Sequence, residues 1–432
     1  MRKLRITAVL VAAGVVAASG AFAQEIKFEG YVNSGIGIMS TDAKASDIKV
    51  VPFGVDSEQP GYRFRLSGSY TGEEGNAGAK FRLQAQSKFD YGALSIPYAY
   101  GWASFLDKVL TVSGGLVDDK TWESGGFYAS DVDEGLGALV KLSPIDGLTL
   151  GVGAYVISPQ GGSDNNILII PAGEEADDDE DLPVTDFSKV DIGLDRLKYT
   201  VGVGYTLPDL FKATASFRTA NQTANGVSKY ADADLEEFSS RETMKLILSA
   251  QILAVKDLKA VVEAVFDKLE DTGKDKDKDN IDVDLYETLE YKISDLTLGL
   301  NVAEYIRIEK DKDHDLGLHF NPWVSYAIGS IVPRLDLNYF LAGKALTTPT
   351  DDPKKAAAWG TAYGRTVFGY KDNVSVIGVR PSVKFNVGKG FVEIGDFIAY
   401  AMGPEGSFAD EDDPKKSSSF NNVVYVDFKW SF

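Results

Sequence analysis

The chain contains two imidazoles, His314 and His319. Nucleophilic catalysis of the serine-hydrolase kind needs one of them beside a serine, with a third polar group orienting the ring. His314 sits in the charged run Asp311-Lys312-Asp313-His314-Asp315, and His319 follows Leu318 in an alternating segment. No Gly-x-Ser-x-Gly elbow accompanies either. Both read as ordinary histidines, and no catalytic residue is assigned. Metal binding fares no better. Asp177 to Asp181 is a dense carboxylate run, and Asp275, Asp277 and Asp279 have odd spacing with lysines between them. The second run lacks the glycine and the terminal glutamate of a calcium loop. Neither a metal nor a cofactor is expected.

Charge placed in rows carries more information. Arg63 and Arg65 share one face of an alternating segment, and Lys80 and Arg82 share the matching face of the next. On a soluble sandwich this is a solvated surface. On the inner wall of a barrel, four clustered cations set a field across the pore. A polar stretch at residues 118–134 supplies the opposite sign through Asp118, Asp119, Glu123, Asp131, Asp133 and Glu134, with Gly125 and Gly126 paired in its middle. Alternation also puts Glu263, Asp282, Asp284 and Glu290 on polar faces, a second acidic wall if those faces point inward.

The elements that must carry these residues are strands. In residues 61–71, Tyr62, Phe64 and Leu66 point one way and Arg63, Arg65, Ser67 and Ser69 the other. After the turn at 72–76, Ala79, Phe81, Leu83 and Ala85 oppose Lys80, Arg82, Gln84 and Gln86. Segments of this kind recur to the end of the chain, each about ten to fourteen residues long, the length a tilted membrane strand needs. Short turns (144–147, 208–210, 255–257, 294–295, 388–390) alternate with long charged stretches (118–134, 158–193, 222–238, 269–280, 344–373, 403–419). Bacterial transmembrane barrels are wired in this way. The count is 18 strands, with 16 as the alternative if the weak hairpins around 96–117 are miscounted. Tyr98, Tyr100, Trp102, Tyr291, Trp323, Tyr326, Tyr339 and Tyr400 are read as interfacial aromatics.

Export is written at the amino terminus. Met1-Arg2-Lys3-Leu4-Arg5, an apolar run over 6–16 and Ala21-Phe22-Ala23 make the three parts of a secretory leader. Residues 1–23 are therefore expected to be removed, leaving 24–432 as a single barrel domain. The leader takes three of the 44 basic residues with it and none of the 64 acidic ones. That balance argues against nucleic acid as a partner. Absence of cysteine excludes a disulfide scaffold.

The carboxyl terminus names the environment. Val424, Val426, Phe428, Trp430 and Phe432 form one face of the last strand, and Tyr425, Asp427, Lys429 and Ser431 form the other. A free edge with such a face would aggregate in water, whereas a closed barrel gives the face lipid and the edge a partner. This ending resembles that of the bacterial outer-membrane general porins. In that family the final aromatic-rich strand, here Phe428, Trp430 and Phe432, is recognised by the barrel-assembly machinery. Trp122-Glu123-Ser124-Gly125-Gly126 resembles, in degenerate form, the family's Pro-Glu-Phe-Gly-Gly motif on an inward-folded third loop. It lacks the proline and the intervening aromatic. The resemblance implies an all-β transmembrane antiparallel up-and-down barrel in the outer membrane, in contact with its lipid, forming a homotrimer. The expected function is passive diffusion of small polar solutes and ions through a water-filled channel, without enzymatic activity. A substrate-specific channel for a sugar or amino acid is the alternative, as is a surface adhesin or structural barrel with a plugged lumen.

Overall fold

A computed structural model describes residues 23–40, 48–52, 62–72, 74–87, 93–130, 132–156, 167–170, 197–219, 244–267, 280–309, 315–341, 374–407 and 415–432. These residues form twenty strands in one antiparallel sheet. They are β1 (Ala23–Ser40), β2 (Ile48–Pro52), β3 (Tyr62–Gly72), β4 (Ala77–Ser87), β5 (Ala93–Phe105), β6 (Leu110–Asp118), β7 (Glu134–Ile145), β8 (Leu148–Val156), β9 (Ile167–Ile170) and β10 (Leu197–Leu207). The second half comprises β11 (Phe211–Arg218), β12 (Lys245–Ile252), β13 (Leu258–Asp267), β14 (Asn280–Ile293), β15 (Leu296–Glu309), β16 (Asp315–Tyr326), β17 (Ile331–Leu341), β18 (Ser375–Val387), β19 (Gly390–Met402) and β20 (Ser418–Ser431).

Two strands are accessory. β2 pairs only with the upper end of β1, and β9 pairs only with Leu94 to Ile96 of β5. β9 falls in the stretch 158–193, which the sequence marks only as a polar loop. The other 18 strands are the staves, each paired with its neighbours round the ring. The ring closes where β1 meets β20, from Tyr31 opposite Ser431 to Ser40 opposite Asn422. The 18-strand closed barrel thus holds, and the hairpin around 96–117 is a full pair of staves, β5 and β6. The expected leader, apart from Ala23, lies outside the described residues, as do His314, Asp131 and both carboxylate runs.

Alternation decides which way each side chain points. Phe28, Val152, Ile377, Val424, Phe428 and Trp430 lie on the outer face, largely exposed, while Tyr425 and Asp427 are buried on the inner face. An apolar outside and a polar inside invert the arrangement of a water-soluble sandwich. Tyr291, Tyr326 and Tyr400 join the outer band. Tyr98, Tyr100, Trp102 and Trp323 do not. Tyr98 and Tyr100 stand opposite Arg82 and Lys80, and Trp102 shares their parity. Trp323 pairs with Gly299 and Asp336, and the Arg334 guanidinium stacks on its ring at 4.0 Å. These four are inner-wall residues, a correction to the interfacial reading. Their outward neighbours on β5 are Pro97, Ala99, Gly101 and Ala103, so size alone misleads there.

The turns on one side are short and tightly wound. Leu106, Asp107 and Lys108 all have positive φ in the β5–β6 turn, as do Asp209, Asp257 and Ser294 in theirs. At Gly147 a side chain is also barred by space, because a Cβ would meet the Thr206 carbonyl oxygen at 2.1 Å.

Candidate functional site: an inward loop facing a basic wall

Between β6 and β7, residues 119–130 and 132–133 lie against the inner wall. Trp122 is the anchor. Its ring is buried with Val117, Leu139 and Tyr155, over three glycines of β8 and β10. A Cβ on Gly151 or Gly202 would meet the indole at 2.2 or 2.4 Å, and one on Gly204 at 3.5 Å. At Gly151 and Gly202 glycine is a packing requirement, because a larger residue displaces the indole, whereas Gly204 makes ordinary contact. Beyond the anchor, polar contacts hold the loop stave by stave. Thr214 Oγ1 donates to the Trp122 carbonyl at 2.9 Å, and Lys212 Nζ donates to that of Glu123 at 3.1 Å. The Ser130 amide donates to Glu263 Oε1 at 2.9 Å, and the Phe127 amide to Thr288 Oγ1 at 2.7 Å. Tyr128 stacks on Tyr286 at 5.2 Å and hydrogen bonds His319 Nδ1. The loop therefore follows the wall from β7 to β16.

The acids of this loop are held locally. Asp119 pairs with Lys141 at 2.7 Å and accepts the Thr121 amide. Burial raises its carboxyl, but the Lys141 ammonium and the Thr121 hydrogen bonds outweigh this and leave it below the usual carboxylate range. Asp118 lies 3.1 Å from Lys120, and Glu123 lies 3.7 Å from the same ammonium. Asp133 is buried and accepts from Tyr155 Oη at 3.3 Å and from Thr200. Gly125 has φ of +73° in open space, and Gly126 lies against Ser124 and Thr288.

Arg63, Arg65, Lys80 and Arg82 occupy one inner face of β3 and β4. Ser67 stands opposite Arg82 and Ser69 opposite Lys80. Arg65 donates to Gln84, and Arg82 donates to Ser67 Oγ at 3.2 Å while stacking on Tyr98 at 4.7 Å. Lys429 of β20 adds a further cation, 4.9 Å over the Tyr31 ring. β3 and β13 are nine staves apart on a ring of eighteen, so this wall stands opposite the part of the loop tied to Glu263.

The four acids of β13 and β14 share the inner face but do not present an open acidic wall. Glu263 is 3% exposed, beneath Ser130. Asp282 forms a bidentate pair with Arg307 at 2.8 and 3.1 Å. Asp284 accepts from Tyr286 Oη at 3.0 Å, and Glu290 stands opposite Lys259. His319 faces the lumen, its two ring nitrogens engaged by Tyr128 and Asn338.

A cluster not apparent in the sequence lies on β17–β19. Asp336 receives Arg334 at 2.6 Å and Arg380 at 2.7 Å, and all but the Arg334 side chain are buried. Glu393 completes it, 3.7 Å from Arg380 and accepting Tyr425 Oη at 2.8 Å.

The closed even-stranded ring, its apolar outside and the loop along its inner wall together decide the architecture. This is a closed antiparallel barrel of 18 staves. No family profile matches the chain, and no curated protein matches it. Among solved structures, OprD of Pseudomonas aeruginosa superposes with 10% identity and a TM-score of 0.47, over 95% of this chain and 96% of that one. OccAB4 of Acinetobacter baumannii gives 10%, 0.48, 95% and 99%. OccD3 (OpdP) of Pseudomonas aeruginosa gives 10%, 0.49, 95% and 92%. The barrel architecture rests on the strand pairing and side-chain contacts of this chain.

Proposed function

We propose that the protein is a water-filled outer-membrane channel that passes small hydrophilic solutes selectively. One observation carries this reading: a loop fixed along the inner wall from β7 to β16, with a wall of cations opposite it. A ring of 18 staves is wide enough for an aqueous lumen. General diffusion needs only width. A loop tied down at so many points narrows the lumen to a fixed shape, and a basic wall gives that shape a sign, which favours a specific channel over an open one. The apolar outer band suits a lipid surround, and the leader-like amino terminus and aromatic terminal strand support delivery to the outer membrane by the barrel-assembly machinery.

Planar-bilayer recording of the purified, refolded protein is the test. Discrete conductance steps are expected, together with saturation of flux by one class of solute. Absence of steps would sink the channel. Flux that rises linearly for every small solute would return the reading to general diffusion. Assembly as a homotrimer predicts a detergent-solubilised particle of three chains, measurable by light scattering.

A further inference from the structure

Below the inward loop, at the short-turn mouth, the inner wall holds a cavity of about 370 Å³. That falls in the range of small-molecule sites, roughly 300–1,000 Å³. Its lining comes from the turn-proximal ends of β5 to β8, the β5–β6 turn, Gly75 of the β3–β4 turn and Thr121 of the loop. From its residues we infer that it is a binding site for an anionic monosaccharide, a pyranose carrying one phosphate or carboxylate. The inference rests on the channel reading only for its role as a station on the solute path, not for the binding itself.

Three features support this occupant. The first is a flat apolar platform. Trp102 lines the cavity, and its indole lies across Gly78 on the neighbouring stave, where a Cβ would meet ring atoms at 2.8 Å. The ring is thus seated on the wall at Gly78 while it also borders the cavity. An indole face packs on the C–H face of a pyranose and is wasted on a compact inorganic ion.

The second feature is a ring of hydroxyls. Ser104 and Thr111 lie 2.8 Å apart, and Ser143 and Thr149 3.4 Å apart. Each hydroxyl has one donor and two acceptor positions, so such a pair keeps capacity for a ligand after bonding internally. Donors and acceptors in matched number suit a polyol. An apolar aromatic acid would leave that remaining capacity unused.

The third is the sign of the charge. Lysines 108 and 141 line the cavity, and among its described lining residues there is no carboxylate. Lys141 is engaged by Asp119 at 2.7 Å and by Thr121 at 2.9 Å. Lys108 stands at the rim in the β5–β6 turn, and among the described residues no carboxylate pairs with it. It is the cation left for the ligand.

Calorimetric titration of the full, folded protein in detergent tests the site with glucose 6-phosphate and glucuronate as probes. Glucose, inorganic phosphate and benzoate serve as comparators. Both acidic sugars should bind about tenfold or more tightly than each comparator. The Trp102→Ala and Lys108→Asn variants should each weaken the acidic sugars by about tenfold. Asparagine suits the positive φ of position 108, +70°, so the second variant keeps the turn if the first misfolds. Preference for phosphate over glucuronate among the sugars would identify the anionic group. Glucose binding as well as its phosphate would overturn the proposal, and so would inorganic phosphate or benzoate binding as well as the sugars. Acidic sugar binding indifferent to both variants, or absent, would also overturn it. Bilayer conductance is read separately: its absence would defeat the channel reading while leaving the titration result to stand.

Discussion

Asp336 is the residue on which the inner wall of β17–β19 depends. It is fully buried between two guanidiniums, and Arg380 behind it is almost as deeply buried. Removing one partner of a buried pair leaves the other charge uncompensated, which costs about 3–5 kcal/mol. Asp336→Asn should therefore lower the urea midpoint of unfolding, followed by the mobility shift between folded and unfolded barrel on a gel. Asp336→Asn combined with Arg380→Met should recover part of that loss, because the orphaned guanidinium goes as well and Lys384, 3.7 Å away, still faces Glu393. Equal stability of the single variant and the parent would show that Glu393, 3.7 Å away, suffices for Arg380.

Among the elements, the inward loop is the one whose position decides the lumen. Glu263→Ala with Thr288→Ala removes the acceptors of the Ser130 and Phe127 amides, contacts worth about 2–4 kcal/mol together. A loop released at that end should give larger and noisier single-channel steps. Unchanged steps would mean that the loop does not set the width. The terminal strand is the other decisive element. Phe432 exchanges both backbone hydrogen bonds with Gly30, at 3.0 and 3.2 Å, and its ring stacks on Phe64 at 6.4 Å. Deleting Phe432 should cut the yield of membrane-inserted barrel severalfold, while molecules that do insert conduct normally. A normal yield would remove the assembly role from this residue.

Most of these staves could be read from the sequence because alternation is a local signal. Val424 to Phe432 shows its two faces without any partner in view, and so do Arg63 and Arg65. What escaped was non-local. On β5, tyrosine and tryptophan alternate with alanine, glycine and proline, and the larger residues look like the lipid face. Only the pairing with Lys80 and Arg82 turns them inward. The fixing of the loop depends on partners as distant as His319, 191 residues from Tyr128. The glycines that seat Trp122 are undistinguished in a chain holding 43 of them. The acids of β14 are legible as inward, but Arg307 on the next stave pairs with Asp282 and changes what that carboxylate offers to a solute.

For the whole molecule, the basic wall on β3 and β4 and the loop tethered opposite it give the lumen two unlike sides. Replacing Arg63, Arg65, Lys80 and Arg82 with serine together should move the reversal potential in a salt gradient toward cation preference, by up to about tenfold in permeability ratio. The effect should fade as ionic strength rises and screening shortens the reach of each charge. A reversal potential that stays put would place those four side chains outside the conducting path.

The β1–β20 pairing has a consequence for how the barrel comes into being. Within it, Asn33 reaches Asp427 across 394 positions of chain at 3.1 Å, whereas most other staves pair with near neighbours in sequence. Bringing such remote segments together costs about 2–3 kcal/mol more chain entropy than closing a hairpin. This seam is thus the natural last step of folding, and its strength separates an open curled sheet from a sealed cylinder. Phe432 bonds Gly30 on β1, which runs on to Ala23 opposite Gly72, so the described ends both lie toward the short-turn side. A short peptide joining them, with new ends cut in one of the long loops, would turn the seam into an ordinary hairpin and move the late step elsewhere on the ring.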